Sequence, residues 1–121
     1  MTAAEHSALL RAIMAKYSNG HTRLFITNSG EAYQGTVISQ TATTITLLYP
    51  RRIHFGVKGM ADLNGITQGG RYVAIEAKTG SGKLTKDQEA FLRMVKAHGG
   101  KSGVARSIED AGEILSEGSK S

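Results

Sequence analysis

The segment Arg71-Tyr72-Val73-Ala74-Ile75-Glu76-Ala77-Lys78 follows the glycine loop Gln68-Gly69-Gly70, and Ala61-Asp62 opens the apolar run ahead of that loop. Ala61 to Thr67 and Arg71 to Lys78 read as two strands, bounded by turn residues and rich in strand formers. The short glycine loop between them makes an antiparallel hairpin. Side chains alternate along a strand, so Glu76 and Lys78 share one face. The hairpin sets Asp62, at the start of the first arm, near Glu76. Two carboxylates and one ammonium therefore gather in one small volume. The carboxylates repel, and burial penalises their charged forms. A hard divalent cation resolves both difficulties, since Mg²⁺ takes oxygen ligands and is usually held by one or two carboxylates plus phosphate. Such an ion acidifies a bound water and stabilises charge building on phosphorus, while Lys78 orients the water or steadies negative charge. For an isolated Glu-x-Lys, a solvated ion pair worth little is the stronger reading, since such triplets are common by chance. The upstream aspartate and the basic composition weigh toward chemistry.

Outward from this hairpin the pattern is that of a mixed α/β chain. Residues 3–17 form an amphipathic helix, with Leu9, Leu10, Ile13, Met14 and Tyr17 at helical spacing, ended by Asn19-Gly20. His21 to Asn28 is a strand centred on Leu24, Phe25 and Ile26, followed by the turn Asn28-Ser29-Gly30. Ala32 to Pro50 contains no charged residue and is rich in Thr, Val and Ile. Val37-Ile38 and Ile45 to Tyr49 are two arms around a Thr-rich turn. An uncharged ribbon of this length is a liability if exposed, so it is expected to be covered by the core or by a second subunit. After the flexible Gly80-Ser81-Gly82, Thr85 to His98 is a helix with Phe91, Leu92 and Val95 on its apolar side, closed by Gly99-Gly100. Lys101 to Arg106 is a last strand. Ser107 caps a final helix through Leu115, and residues 118–121 are expected to be a frayed tail. The order implies a small sandwich of sheet and helices.

Composition bounds the function. One domain accounts for 121 residues. A hydrophobic content of 40% with a single Pro excludes disordered and low-complexity classes. No apolar run is long enough to span a bilayer, and the start lacks the basic-then-apolar form of a secretory signal. There is no cysteine, which excludes disulfides, zinc–thiolate sites and thiol nucleophiles and fits a cytoplasmic setting. Fifteen Lys and Arg against ten Asp and Glu give a net charge of +5, which makes polyanions the first class of partner. A bound nucleotide is not expected. Gly82-Lys83 lacks the P-loop's following Ser or Thr, since Leu84 stands there, and Ala77 replaces its first glycine. Thr85 likewise breaks a dinucleotide fingerprint.

The run Gly56-Val57-Lys58-Gly59-Met60-Ala61-Asp62, then Gly69 through Lys78, resembles the VRR-NUC family of the PD-(D/E)xK nuclease superfamily. The resemblance continues through Gly82-Lys83-Leu84-Thr85, Gln88 to Phe91, Gly99-Gly100 and Val104-Ala105-Arg106-Ser107. It implies an α/β, restriction-endonuclease-like αβββαβ core, here with an extra β-ribbon, in one nuclease domain over residues 1–117. It also implies Mg²⁺- or Mn²⁺-dependent cleavage of DNA. Position by position, Asp62 and Glu76 are the implied metal ligands, with the backbone carbonyl of Ala77 as a third. Lys78 is the implied catalytic lysine, Gln88 matches the glutamine beside the metal, and Glu5 matches the acidic residue of the first helix. Ala61 departs from the family's usual proline before the aspartate. Stand-alone members resemble homodimeric junction-cleaving enzymes, often of phage origin. That implies branched DNA as substrate, a second copy of the chain as partner, and the cytoplasm of a bacterial or phage-infected cell. A non-catalytic basic DNA-binding module, and a nuclease of flaps, nicks or DNA ends, are the competing readings.

Two implied site residues have a structural alternative, because Thr2-x-x-Glu5 and Thr85-x-x-Gln88 both read as capping boxes. Glu5 also lies four residues before Leu9 on the apolar stripe, where a carboxylate needs a partner. His6, His21, His54 and His98 show no metal-ligand spacing. His98 reads as a partner of its helix dipole, and His54 sits among basic residues. Arg51, Arg52 and Lys58 lead into Asp62, and Lys83 and Lys86 follow the Glu76–Lys78 strand. These five are expected along one edge of the site, binding phosphate without reading sequence. The ribbon is expected to form the dimer contact.

Overall fold

A computed structural model describes residues 2–27 and 30–116. The elements are helix α1 (Ala3–Tyr17), strands β1 (Thr22–Ile26), β2 (Gly30–Gln40), β3 (Ile45–Phe55), β4 (Leu63–Thr67) and β5 (Tyr72–Ala77), helix α2 (Lys86–Ala97), strand β6 (Lys101–Ala105) and helix α3 (Ile108–Ser116). Asn28 and Ser29 of the expected turn, and the expected tail 118–121, lie outside the described residues.

Four strands form the main sheet in the order β1-β4-β5-β6. The antiparallel pair β4·β5 closes through a short loop and β1·β4 is joined through the β2–β3 ribbon, whereas β5 and β6 run parallel and are joined by α2, as a parallel pair requires. Without the ribbon and α3, the chain has the αβββαβ order expected of it. The alternation of β5 divides the core between two faces. Val73, Ile75 and Ala77 pack with Leu10 and Ile13 of α1 and Ala111 and Ile114 of α3. Ala74 faces the other way, onto Phe91, Leu92 and Val95 of α2. The result is helices, sheet, helix: three layers with apolar faces inward.

Local chemistry sets the element ends. The Thr2 hydroxyl accepts the Glu5 N–H at the start of α1. Thr85 and Gln88 exchange side-chain and backbone bonds at the start of α2, and the Ser107 hydroxyl accepts the Asp110 N–H ahead of α3. Gly99, at φ +89°, follows the end of α2 in the left-handed conformation that glycine accepts without strain.

Of the two covers expected for the ribbon, the core does not supply one. β2 and β3 pair antiparallel from Gly30↔Phe55 to Gln40↔Ile45 and form a separate two-stranded sheet. It is not covered by the core: Tyr33, Val37, Ile38, Ile45 and Tyr49 are all exposed.

Asp62 is anchored by a buried polar knot. Asn64 is fully buried. Its amide donates to Thr27 Oγ1 (2.6 Å) and to the Ala61 carbonyl (2.8 Å), and its Oδ1 accepts the Tyr72 hydroxyl (2.7 Å). Thr27 Oγ1 also donates to the Ala61 carbonyl (2.8 Å), and its N–H donates to the Asp62 carbonyl (2.9 Å). Removing one partner from such a knot leaves buried groups unpaired. Asn64→Ala is expected to lower unfolding free energy by about 1–3 kcal/mol, measured by urea denaturation with an unchanged slope. A loss too small to measure would show that the knot does not anchor this corner.

Candidate active site

Leu63 pairs with Ile75 across β4·β5, so the next step outward sets Asp62 opposite Glu76. Both lie at the C-terminal end of β5. The Ala77 N–H donates to Asp62 Oδ2 (3.1 Å), and the Asp62 N–H donates to Glu76 Oε2 (3.2 Å). Each carboxylate is thus held by the other residue's strand. Lys78 lies just past β5, where its N–H still donates to the Ala105 carbonyl (3.1 Å). Its Nζ stands 3.9 Å from Glu76 Oε1, with both side chains largely buried. On the α2 side, Gln88 Nε2 donates to the same Oε1 (3.3 Å) while Gln88 Oε1 accepts the Thr85 N–H (2.9 Å). One amide serves both the helix cap and the carboxylate cluster.

The electrostatics follow from burial. Glu76 is 3% exposed. Desolvation first, and the facing Asp62 carboxylate second, push its pKa up to about 8, with Lys78 and the Asp62 N–H pulling the other way. A glutamate in this state holds a proton at neutral pH unless a positive charge replaces it.

The structure brings together Asp62, Glu76, Ala77, Lys78 and Gln88, as the sequence indicates. It does not bring in Glu5, which is exposed and takes part through its backbone N–H at the helix cap. The residue of α1 that reaches the cluster is His6. Its Nε2 lies 3.0 Å from Asp62 Oδ2 and 3.2 Å from the Ala77 carbonyl oxygen. The signal for it was in the helix period. The fully buried stripe is Leu10 and Ile13, and His6 lies four and seven residues before them, whereas Glu5 aligns with the less buried Leu9.

The five basic residues do not form one edge. Lys58 pairs with Asp87 at 3.5 Å in the first turn of α2, beside Gln88. Lys86 opens that helix, and Lys83 is exposed just ahead of it. Arg106 fixes the loop between β5 and Lys83, donating to the carbonyls of Gly80 (3.0 Å) and Gly82 (2.7 Å). Arg51 and Arg52 belong instead to the ribbon, where they meet Gln34 (2.6 Å) and Glu31 (3.5 Å). His54 is also on the ribbon, against Glu31, and His98 Nδ1 meets the Met94 carbonyl at the end of α2.

An αβββαβ core with Asp, Glu-x-Lys and a helix glutamine converging at the end of its sheet has the architecture of the restriction-endonuclease-like nucleases. The VRR-NUC domain model matches residues 4–109, and the chain belongs to the VRR-NUC family. It is therefore a nuclease domain, with the DNA binding that such a domain carries. No curated protein and no solved structure matches it. No helix among the described residues is long and apolar enough to cross a membrane.

The raised Glu76 pKa fixes a sign for pH dependence. Between about 4.5 and about 8 the folded protein holds a proton that the unfolded chain releases. The resulting stabilisation is full below the lower value and is lost as pH rises through the upper one. In EDTA, the wild type is expected to lose up to a few kcal/mol of stability across that window. Glu76→Gln, neutral throughout, should flatten the slope. Thermal denaturation at a series of pH values checks this, and parallel profiles for the two proteins would contradict it.

Proposed function

We propose that this domain is a metal-dependent, structure-selective DNA endonuclease that hydrolyses phosphodiester bonds of branched DNA, such as four-way junctions, as a homodimer. The observation that carries the reading is the packing of Asp62 against the buried Glu76, with the Ala77 carbonyl and the Lys78 ammonium alongside. Carboxylate and carbonyl oxygens are the hard donors that Mg²⁺ and Mn²⁺ prefer. The raised pKa of Glu76 marks negative charge that a cation would compensate. Among the described residues no group of three His, Asp or Glu side chains is placed to hold a metal ion by itself. Mg²⁺ needs none, since it is usually held by one or two carboxylates, water and substrate phosphate. Asp62, Glu76 and the Ala77 carbonyl would hold the ion.

When bound, the ion polarises a phosphoryl oxygen and acidifies a water. The chain's own residues do the rest. Lys78, fixed beside Glu76, orients the attacking water and keeps positive charge where negative charge builds. Gln88 holds Glu76 Oε1 and so sets the carboxylate's direction. The Ala77 N–H does the same for Asp62 Oδ2. Lys58, Lys83 and Lys86 by α2, with Arg51 and Arg52 on the ribbon, offer phosphate contacts that carry no sequence information. Selection by DNA shape follows from that.

The exposed apolar ribbon supports dimerisation, because an uncovered strand pair with these side chains seeks a partner. A two-fold dimer supplies the two equivalent cuts that a four-way junction needs. The lack of cysteine suits the cytoplasm of a bacterial or phage-infected cell.

Cleavage of a four-way junction and a matched linear duplex, with Mg²⁺, Mn²⁺ or EDTA, tests the reading. Metal-dependent cutting of the junction is expected, abolished by Asp62→Ala. Lys78→Ala should slow it by ~100-fold or more while retaining DNA binding. Tight metal-independent binding without cutting would make the domain a DNA-binding module, and equal cutting of both DNAs would remove the junction preference. Light scattering at tens of micromolar should report a dimer; a monomer would sink the ribbon contact.

A further inference from the structure

The histidine that α1 delivers to the cluster has no role in the reading above. His6 Nε2 stands 3.0 Å from Asp62 Oδ2 and 3.2 Å from the Ala77 carbonyl oxygen. A ring nitrogen carries at most one proton, so it shares one N–H between two acceptors or offers one lone pair to an ion lying among all three atoms. The spacing fits the second arrangement as well as the first. Adjacent corners of an octahedron with bonds of ~2.1 Å lie about 3 Å apart. The ring is also held firmly. Leu10 and Ile13, one and two turns further along the same stripe, are buried in the core, so the helix fixes the direction in which His6 points. Its side chain remains 29% exposed, which leaves a way in for ion and water. On the opposite side, Glu76 Oε1 is already met by Lys78 and Gln88.

We propose that His6 is a nitrogen ligand of the metal, which sets imidazole beside the Asp62 carboxylate and the Ala77 carbonyl instead of oxygen alone, and biases this nuclease toward Mn²⁺ over Mg²⁺. The inference rests on the metal-dependent reading and goes beyond it. Mg²⁺ favours oxygen donors and parts reluctantly with water, whereas imidazole binds the transition metals more readily. Glu5, one position earlier on α1, would have given an all-oxygen site. A shift of one residue along the helix exchanges that carboxylate for a ring nitrogen.

The test measures metal binding without DNA, by calorimetry and by electron paramagnetic resonance of Mn²⁺ on protein carrying ¹⁵N-labelled histidine. The proteins are wild type, His6→Gln, His6→Glu and Asp62→Asn, each shown to be folded by its thermal transition in EDTA. Wild type is expected to bind Mn²⁺ more tightly than Mg²⁺ and to show a ¹⁵N coupling to the bound ion. His6→Gln should remove the coupling and weaken Mn²⁺ by ~10-fold or more, with a smaller effect on Mg²⁺. His6→Glu should narrow the Mn²⁺/Mg²⁺ ratio by restoring Mg²⁺ affinity. Mn²⁺ binding that Asp62→Asn abolishes but His6→Gln leaves unchanged, or binding without any ¹⁵N coupling, would overturn the ligand assignment and leave the metal site standing. A wild type that binds neither ion would overturn both.

Discussion

Two carboxylates, Asp62 and Glu76, are held together at the end of a sheet where one of them is almost fully shielded from water. Left to themselves they would separate or protonate. The fold prevents separation by making each the hydrogen-bond partner of the other's backbone, Ala77 N–H to Asp62 and Asp62 N–H to Glu76. Antiparallel pairing thus does more than build a sheet. It fixes the two acids relative to each other to within the tolerance of a hydrogen bond, before any ligand is present. Protonation is the remaining way out, and burial beside the Asp62 carboxylate pushes the pKa of Glu76 up in that direction. Such a site is poised to exchange a proton for another positive charge.

Much of the rest of the structure serves to keep that end of the sheet from moving. The knot of Thr27, Asn64 and Tyr72 ties down the backbone on either side of Asp62. The loop before Asp62 is pressed against α2 at Gly59, where φ is +77° and a side chain would come within 2.3 Å of the Asp87 carbonyl oxygen. Only glycine satisfies both the conformation and the space. That contact joins the segment carrying Asp62 to the first turn of α2, the turn that also carries Gln88. The site therefore has supports from β4, β5, α1 and α2, with Glu76 on a strand and Asp62 directly ahead of one.

Nearly all of this fold is legible in the sequence, because local chemistry and global packing agree. The bounds of α1 follow from its apolar stripe, those of α2 from Thr85 and Gly99, and the β4–β5 hairpin from its glycines. The Asp, Glu-x-Lys cluster is legible for the same reason: strand alternation and a short loop leave little freedom in where those side chains go. Two features were not. Glu5 and His6 are adjacent on a helix, about 100° apart around its axis. Choosing between them requires knowing which edge of a broad apolar stripe is buried, and that depends on how α1 sits on the sheet. The exposure of the ribbon was also hidden. Its residues specify strands and apolar faces, but whether anything covers those faces is a property of the assembly, which no local pattern encodes.

The ribbon and the core obey different constraints. The core must hold charges in place, and it does so with dense packing and paired buried polar groups such as Asn64. The ribbon carries none of that machinery. Its side chains are open to solvent along both strands, its ladder shifts register between Gln34 and Thr36 and again between Val37 and Ser39, and Tyr49 takes a positive φ that a tyrosine rarely adopts. Bulges of this kind increase twist and re-aim side chains. An eleven-residue strand pair that departs from the domain, carries arginines near its base and apolar side chains further out, adds almost nothing to the core's stability. Its shape makes sense as a surface for contact with something else. Positioning of the acids and reach toward a partner are thus assigned to separate elements, so that a change in what the ribbon touches need not disturb the geometry at Asp62 and Glu76.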